Sequence, residues 1–416
     1  MGGSPAAEGK DSRVLFLIAA VAMLLVGIRP RGIPEWVWAV AGAALVVLLG
    51  YESAGNALSA VAQRWNVLLF ILGLMGLSAA AEESGAFEWL ADVLLQRAGG
   101  SRRRLFILLF LAGGAITCLL SNDATAIVFT PIVYRAVARR GGNALPFLFG
   151  CIFVADTASF GLPFANPANI IVLPRPNVLD YLWHLGAPEV LAVAINLLIF
   201  LAIFRISLRG SYEFDAPIPP CPEAKRTLAA LCCVGAAYLV ALLLGWPLGP
   251  VAVAGALLTI AVARVSPAAA MRHVGWSTFA LLAGLFALVD AIARAGFVAW
   301  ASHGLEAAAR YGALASVSVA CVGSALLSNL LNNLPVAVAS SYVVAHAPAQ
   351  SIAYPLIAGI DLGPNLTTAG SLATILWLAV LRARGVHVSA LEYLRLGAMV
   401  VPPMIAVNVL WLWLVR

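Results

Sequence analysis

Long apolar segments fill the chain and are separated by short polar ones. Within each segment the apolar residues are continuous, whereas strands of a membrane barrel alternate apolar and polar positions. A membrane-spanning helix needs about 20 mostly apolar residues. The first segment begins at Val14 and the last ends at Leu414. The pattern therefore predicts an all-α polytopic membrane protein.

Polar residues interrupt two of these segments near their centres. Ser121-Asn122-Asp123 breaks one, and Asn332-Asn333 breaks another. The apolar segments around Pro167 and Pro364 are also too short to cross a membrane alone. Polar groups at membrane depth are costly and usually functional. Short or interrupted segments in both halves of a chain are typical of the binding site of a transporter.

The second half of the chain repeats the first at a shift of 211 residues. The matches in this register include Trp65/Trp276, Gly73/Gly284, Gly85/Gly296 and Asn122/Asn333. Near the start of each half, Ala39-Val40-Ala41-Gly42-Ala43 matches Ala252-Val253-Ala254-Gly255-Ala256. The repetition predicts an N-terminal transmembrane repeat at 14–208 and a C-terminal one at 227–416. A cytoplasmic linker at 209–226 would join them.

Basic residues predict how these repeats lie in the membrane, because they favour the cytoplasmic side. Both ends of the first interrupted segment carry them, namely Arg102, Arg103, Arg104, Arg135, Arg139 and Arg140. The segment would then enter and leave on the cytoplasmic side as a re-entrant hairpin. Its counterpart has only Arg310 and His346 at its flanks, so its base would lie on the outer side. In this topology Arg272 would be cytoplasmic and Arg416 external. We therefore predict two inverted-topology repeats, each with about five transmembrane helices (one broken) plus one re-entrant hairpin.

Composition supports a membrane protein and excludes several other classes. Of 416 residues, 62% are hydrophobic and 11% charged, against about 25% charged in soluble domains. The net charge of +6 lies mostly in a few loops, which indicates topology and not a nucleic-acid surface. The six cysteines show no C-x-x-C spacing, so neither a disulfide framework nor a metal site is predicted. No cofactor motif is present.

A set of motifs resembles those of the ArsB-type arsenite/antimonite permeases, in the wider ion transporter superfamily. They are Leu119-Leu120-Ser121-Asn122-Asp123, Ala155-Asp156-Thr157-Ala158-Ser159, Asn166-Pro167-Ala168-Asn169, Asn332-Asn333-Leu334-Pro335, Gly359-Ile360-Asp361-Leu362-Gly363-Pro364 and Gly370-Ser371-Leu372-Ala373-Thr374. The similarity covers essentially the whole chain. One departure is Asn365, because many relatives have Lys after the Gly-Pro pair.

The resemblance implies a multi-pass protein of the cell (inner) membrane. It also implies export of arsenite and antimonite, the trivalent hydroxides, driven by proton entry and sometimes with an arsenite-stimulated ATPase subunit. The chain has no phosphate-binding loop of its own, so we expect a secondary transporter and not an enzyme.

The substrate sets the chemistry of the site. Arsenous acid is an uncharged trihydroxide at neutral pH, and amides and hydroxyls offer it both donors and acceptors. The predicted substrate-binding residues are Asn122, Asn166, Asn169, Asn333, Thr367, Thr368 and Ser371. The alternative is that some of them only cap broken helices. Cys118 and Cys321 lie near the hairpins, but a cage of thiolates would release its cargo slowly, so we do not assign them as ligands.

Proton coupling needs a carboxyl group that is exposed to each side in turn. The predicted proton-coupling residues are Asp123, Asp156 and Asp361. Asp123 comes first, because its counterpart in the repeat is Leu334 and the carboxylate therefore belongs to one half only.

Other functions remain as alternatives. The first is a sodium/proton antiporter of the same superfamily. A dicarboxylate carrier is less favoured, because the Ser-Asn-Thr pairs of such carriers are absent as such. A membrane-embedded enzyme would need a catalytic set or metal cluster that the sequence does not show, and a channel would need no duplicated hairpins with titratable tips.

Overall fold

A computed structural model describes residues 12–139, 143–212, 221–347 and 350–416. Within these ranges the secondary structure is helical, with no β-strand. Six of the helices are long and apolar enough to cross a membrane, and six shorter apolar helices accompany them. The prediction of an all-α polytopic membrane protein is confirmed. Arg140 and positions 213–220 of the predicted linker lie outside the described residues.

Eleven α-helices form the described part of the N-terminal half: α1 Ser12–Ile28, α2 Glu35–Leu48, α3 Ala54–Ala62, α4 Trp65–Glu83, α5 Ala86–Arg97, α6 Arg102–Leu119, α7 Thr130–Ala138, α8 Leu145–Thr157, α9 Pro167–Val172, α10 Val178–Tyr181 and α11 Ala187–Ile203. Ten follow in the described part of the C-terminal half: α12 Pro222–Leu243, α13 Leu248–Val262, α14 Pro267–Arg272, α15 Trp276–Ile292, α16 Val298–Ala309, α17 Ala313–Leu331, α18 Asn333–His346, α19 Ala353–Leu362, α20 Leu372–Arg382 and α21 Ala390–Leu414. Since α12 begins at Pro222, the end of the predicted linker is helical.

The chain reverses direction at the first interrupted segment. The Thr117 and Thr125 hydroxyl oxygens are 2.8 Å apart, and the Thr125 hydroxyl also donates to the Gly113 carbonyl at 3.1 Å. In one continuous helix, residues 113 and 125 would be about 18 Å apart. The turn lies between α6 and the π-helical segment Ala124–Phe129, which leads into α7. Re-entry into the membrane at this turn stays a prediction.

Helices at matched positions of the two halves run antiparallel. At the end of α4, Glu83 contacts His273, just before α15, with Oε1 and Nε2 2.8 Å apart. At the start of α4, the guanidinium of Arg64 lies 5.3 Å from the ring of Phe286, toward the end of α15. An inverted pair of repeats requires this arrangement. The inverted repeat stays a prediction that these contacts support.

The core around the broken helices is aromatic. Phe153 of α8 packs on Phe200 of α11 with ring centroids 4.9 Å apart, and on Tyr393 of α21 at 5.1 Å. Trp377 of α20 packs on Phe149 of α8 at 5.7 Å. Because these rings are buried and pair edge-on or tilted, they fix α8 and α20 against each other. This packing positions the residues of the candidate site.

Candidate functional site

Four helical segments begin around one small cavity. Its volume is about 30 Å³. Asn122 and Asp123 reach it from the first turn, and Asn333 begins α18 beside it. Asn166 caps α9 and Leu372 begins α20, and both also line it. We call this space the tip cavity. Four of the predicted site residues, from both halves of the chain, therefore meet at one place.

A larger cavity of about 290 Å³ adjoins the tip cavity, and we call it the vestibule. The two share Asp123 and Thr278 on their walls. The vestibule also contacts Glu35, Glu82 and His273, which lie at the start of α2, at the end of α4 and just before α15. Asp123 is partly exposed, whereas Asn122 beside it is buried. Asp123 thus stands between the tip cavity and the vestibule.

Asp156 lies behind Asn122 and joins the two halves. Its Oδ1 accepts a hydrogen bond from Asn122 Nδ2 at 3.2 Å, and its Oδ2 accepts from the hydroxyls of Ser371 and Thr374, also at 3.2 Å. Asp156 is only 1% exposed. The Ser371 oxygen in turn caps α20 by accepting from Thr374 N at 3.0 Å. The first turn and the start of α20 are therefore tied to one carboxyl group.

Asp361 is paired with an amide of the other half. Asn166 Nδ2 donates to Asp361 Oδ1 at 2.7 Å, while Asn166 Oδ1 accepts from Ala168 N at 3.0 Å and caps α9. Pro167 at the first helical position has no N–H to satisfy, which suits a helix start in a buried site. Both Asn166 and Asp361 are buried. Asn166 thus combines a capping role with a contact across the repeat boundary.

The second turn lies between α17 and α18, and it carries an amide whose oxygen has no hydrogen-bond partner among the described residues. Asn332, with φ of 76°, caps α18 by accepting from Leu334 N at 3.3 Å. The next residue, Asn333, donates its backbone N–H to the Gly370 carbonyl at 3.0 Å. Its side-chain oxygen is buried without a hydrogen-bond partner among the described residues. A buried amide oxygen of this kind is suited to accept from a ligand hydroxyl.

Four of the predicted substrate residues do not line the tip cavity. Asn169 donates to the Ser159 and Leu162 carbonyls at 2.8 and 3.2 Å, and so satisfies the irregular backbone before α9. Thr367 donates to Asn329 Oδ1 at 2.6 Å. Thr368 contacts neither the tip cavity nor the vestibule. Ser371 is buried behind the cavity as the cap of α20. The capping alternative therefore describes Ser371, whereas Asn169 lies within α9 and bonds the backbone that precedes it.

The electrostatics of the tip cavity combine helix starts with acidic side chains. The starts of α18 and α20 carry partial positive charge, as does the shorter α9. Neither Lys nor Arg is among the described residues that line the tip cavity or the vestibule. Among the described residues, Asp123 supplies the one carboxyl group in the tip cavity wall. This environment suits hydroxyl groups better than a polyanion.

Some contributors could not be identified from the sequence. Ile71 and Met75 of α4 and Thr278 of α15 line the tip cavity but lie within ordinary apolar segments. The Thr374 hydroxyl also donates to Asp156. Thr374 ends the Gly370–Thr374 motif, and its place in that motif is the one feature of the sequence that could have indicated this role. Glu189 is buried at the start of α11, where an acidic residue in a first turn is common.

Two relatives with similar sequences and one solved structure with a similar fold match nearly the whole chain. The "Arsenical pump membrane protein" of Escherichia coli (strain K12) is 27% identical over 413 residues, covering 94% of this chain and 96% of that protein. The protein of the same name from Yersinia enterocolitica is 28% identical over the same shares. The crystal structure of the Alcanivorax borkumensis YdaH transporter matches with a TM-score of 0.59 at 14% identity, covering 96% of this chain and 97% of that one.

The family follows from these matches. The predicted resemblance to the ArsB-type permeases is confirmed by the two relatives. The YdaH structure shares the fold alone. A family model described as a citrate transporter matches residues 9–360. The chain is a transporter and belongs to the citrate transporter family, CitMHS.

Proposed function

We propose that this chain is a secondary active exporter of arsenite and antimonite, coupled to proton entry, in the inner cell membrane. The amides of Asn122, Asn166 and Asn333 carry this proposal, because they meet at one cavity from both halves of the chain. The relatives named arsenical pump membrane proteins support the choice of substrate.

The amides fit an uncharged trihydroxide. Each amide offers two donors and an acceptor, so it can satisfy a hydroxyl in either sense. Asn333 Oδ1 has no partner among the described residues and is available to accept. A citrate trianion would instead meet Asp123 in a cavity wall that includes no described Lys or Arg. The site therefore favours arsenous acid over a carboxylate substrate, although the family description names citrate.

The sizes of the two cavities support alternating access. A volume of about 30 Å³ holds roughly one water molecule. A trihydroxide needs more room, so the tip cavity must widen to admit it. The vestibule leads to it from the side of His273, and the neighbouring Arg272 belongs to the side predicted to be cytoplasmic. This arrangement suits loading of an exported substrate from the cytoplasm.

Proton coupling is assigned to Asp123, Asp156 and Asp361. Asp123 lies on the wall shared by the two cavities, so a proton can reach it from the vestibule. Asp156 and Asp361 are held by Asn122 and Asn166, two of the amides proposed to bind substrate. A substrate hydroxyl that takes the N–H already donated to Asp156 or Asp361 removes that donor from the carboxyl group behind. Substrate and carboxyl group thus compete for the same donor, which is a direct route to coupling.

The test is arsenite uptake into everted membrane vesicles with an imposed proton gradient. Wild type should accumulate arsenite, and a protonophore should abolish the accumulation. Asp123→Asn should lose gradient-driven accumulation by about tenfold or more, while arsenite exchange at equilibrium continues. Asp92→Asn, the same change at an exposed position of α5, is the matched control and should behave as wild type. No uptake by wild type, or full accumulation by Asp123→Asn, would contradict the proposal.

A sodium/proton antiporter is the second candidate, because three carboxyl groups lie in or behind the tip cavity. Sodium-dependent collapse of a pH gradient in the same vesicles, without arsenite uptake, would support it. An ATPase subunit remains a proposed partner. Copurification with such a subunit, and arsenite uptake that requires ATP, would support that partner.

A further inference from the structure

Glu189 fastens the first broken helix to the rest of the molecule. Its Oε2 accepts hydrogen bonds from the backbone N–H groups of Phe160 and Gly161 at 2.9 and 2.6 Å. These two residues lie in the break between α8, which carries Asp156, and α9, which Asn166 caps. Glu189 is 7% exposed. The carboxyl group therefore supplies the acceptor that the missing helical turn would have provided.

The same side chain also contacts α6, the helix that leads into the first interrupted segment. We call α6 the first hairpin arm and its counterpart α17 the second. Glu189 Oε1 lies 3.8 Å from Cys118 Sγ, and that thiol donates to the Ala158 carbonyl at 3.3 Å. Cys118 belongs to the last turn of α6, directly before the polar tip at Ser121. Glu189 and Cys118 together join the arm, the break and α11.

The C-terminal half contains an equivalent connection. Asn329 matches Cys118 at the 211-residue shift and lies near the end of α17. Its Nδ2 donates to the Gly363 carbonyl at 2.8 Å, and its Oδ1 accepts from the Thr367 hydroxyl at 2.6 Å. Gly363 and Thr367 belong to the break between α19 and α20. Both hairpin arms are therefore fastened to the broken helix of their own half.

A glycine packs against each connecting side chain. A Cβ atom at Gly161 would lie 2.5 Å from Glu189 Oε1, and one at Gly370 would lie 3.0 Å from Asn329 Oδ1. The first distance excludes any larger residue unless Glu189 moves. In both halves, therefore, a glycine lets the irregular backbone of the break approach the side chain that connects it to the hairpin arm.

We propose that Glu189 and Asn329 are positioning residues that hold each broken helix against the hairpin arm of its own half. They touch neither cavity and act through the residues that line it. Glu189 fixes the break that ends in Asn166, and Asn329 fixes the break that ends in Ser371. The two connections differ in chemistry, since one uses a carboxyl group and the other a neutral amide.

Hydrogen–deuterium exchange of the purified full chain in nanodiscs tests this without any substrate. Glu189→Ala should speed exchange at 160–161 by about tenfold or more, because both hydrogen bonds to the carboxyl group are lost. Glu189→Gln keeps a carbonyl oxygen that can accept both bonds, so its exchange should stay within about threefold of wild type. Asn329→Ala is the matched variant and should loosen 363–367 while leaving 160–161 unchanged.

Gly161→Ala provides a second route to the same outcome with Glu189 intact. The new Cβ would displace the carboxyl group, so exchange at 160–161 should rise as in Glu189→Ala. Unchanged exchange in Glu189→Ala, or a loss in Glu189→Gln equal to that in Glu189→Ala, would overturn the proposal. If Glu189→Ala cannot be purified, Gly161→Ala and Asn329→Ala decide it.

Transport adds a readout that rests on the proposed function. Glu189→Ala should raise the arsenite KM by about tenfold with a smaller effect on maximal rate, and Glu189→Gln should restore it. If exchange changes as expected but wild type moves no arsenite, the proposed substrate is wrong and the positioning role stands. If wild type transports arsenite and exchange does not change, the positioning role is wrong.

Discussion

Gly73 of α4 packs directly on the backbone of Ala252 of α13. A Cβ atom at position 73 would lie 2.4 Å from the Ala252 carbonyl carbon. The matched residue Gly284 of α15 packs in the same way on Ala39 of α2, at 2.6 Å. Each half thus contributes the glycine of one contact and the alanine of the other. A two-fold relation between the halves requires this reciprocal pattern.

Replacement of either glycine should therefore destabilise the protein. Gly73→Ala or Gly284→Ala forces two helix backbones apart, which costs about 1–3 kcal/mol in a well-packed interior. The two variants should lose similar stability, measured as the temperature at which half of the detergent-solubilised protein remains monodisperse.

Gly323→Ala is the control for this pair. Gly323 lies within α17, and a Cβ atom there would meet nothing within 4 Å. Since Ala favours a helix over Gly by about 1 kcal/mol, this change should be neutral or stabilising. Equal stability of Gly73→Ala and Gly323→Ala would show that the close contact is not important.

The sequence predicted the elements that depend on local composition. The polar tips at Asn122 and Asn333, and the starts of broken helices at Asn166 and Ser371, are visible as breaks in apolar segments. The 211-residue shift also paired the two tips. These features follow from the cost of polar groups in apolar segments, which is a local property.

Side-chain direction at the breaks could not be predicted in the same way. Asn169 and Thr367 satisfy backbone and side-chain groups near their own breaks instead of facing the tip cavity. Irregular backbone has no periodicity from which a face can be read. Thr278 shows the converse, because a threonine within an apolar segment looks ordinary until the packing places it on a cavity wall.

The Asn166–Asp361 hydrogen bond should form again when the two side chains are exchanged between these positions. Asn166→Asp keeps an oxygen that can cap α9, but it removes the donor to Asp361 and places two carboxyl groups in contact. We expect a stability loss of about 1–3 kcal/mol. Adding Asp361→Asn restores one donor and one acceptor, so the double variant should recover most of the loss.

Thermal stability of the two single variants and the double variant measures this coupling. Asp361→Asn alone separates the effect of the second change. Additive losses in the double variant would mean that the 2.7 Å contact contributes little.

Asn365 should matter for stability and not for substrate affinity. It is fully buried and donates to the Phe153 carbonyl at 3.2 Å and to the Thr157 hydroxyl at 3.0 Å, and it lines neither cavity. Asn365→Ala leaves the Phe153 carbonyl without this donor, at a cost of about 1–3 kcal/mol.

The arsenite KM of purified and reconstituted Asn365→Ala should stay within about twofold of wild type, because KM reports contacts to substrate. Gln96→Ala, at an exposed amide side chain of α5, is the control and should change stability by no more than about 0.5 kcal/mol. A large rise in KM for Asn365→Ala would place Asn365 in the substrate path.

The vestibule predicts which side of the membrane reaches the tip cavity. Thr278 lines both spaces, and the vestibule lies on the side predicted to be cytoplasmic. Ser316 lines a separate cavity of about 500 Å³ with Arg416, on the side predicted to be external. The two positions therefore form a matched pair for labelling. The background replaces the four cysteines with some exposure, namely Cys118, Cys221, Cys232 and Cys233.

In that background, a membrane-impermeant maleimide should label Thr278→Cys in everted vesicles and not in right-side-out vesicles. Ser316→Cys should show the opposite. Arsenite should slow labelling of Thr278→Cys alone, because only that position adjoins the tip cavity. Labelling of both positions from one side would contradict the predicted topology. Labelling of Thr278→Cys from both sides would contradict the prediction that the vestibule opens on the cytoplasmic side alone.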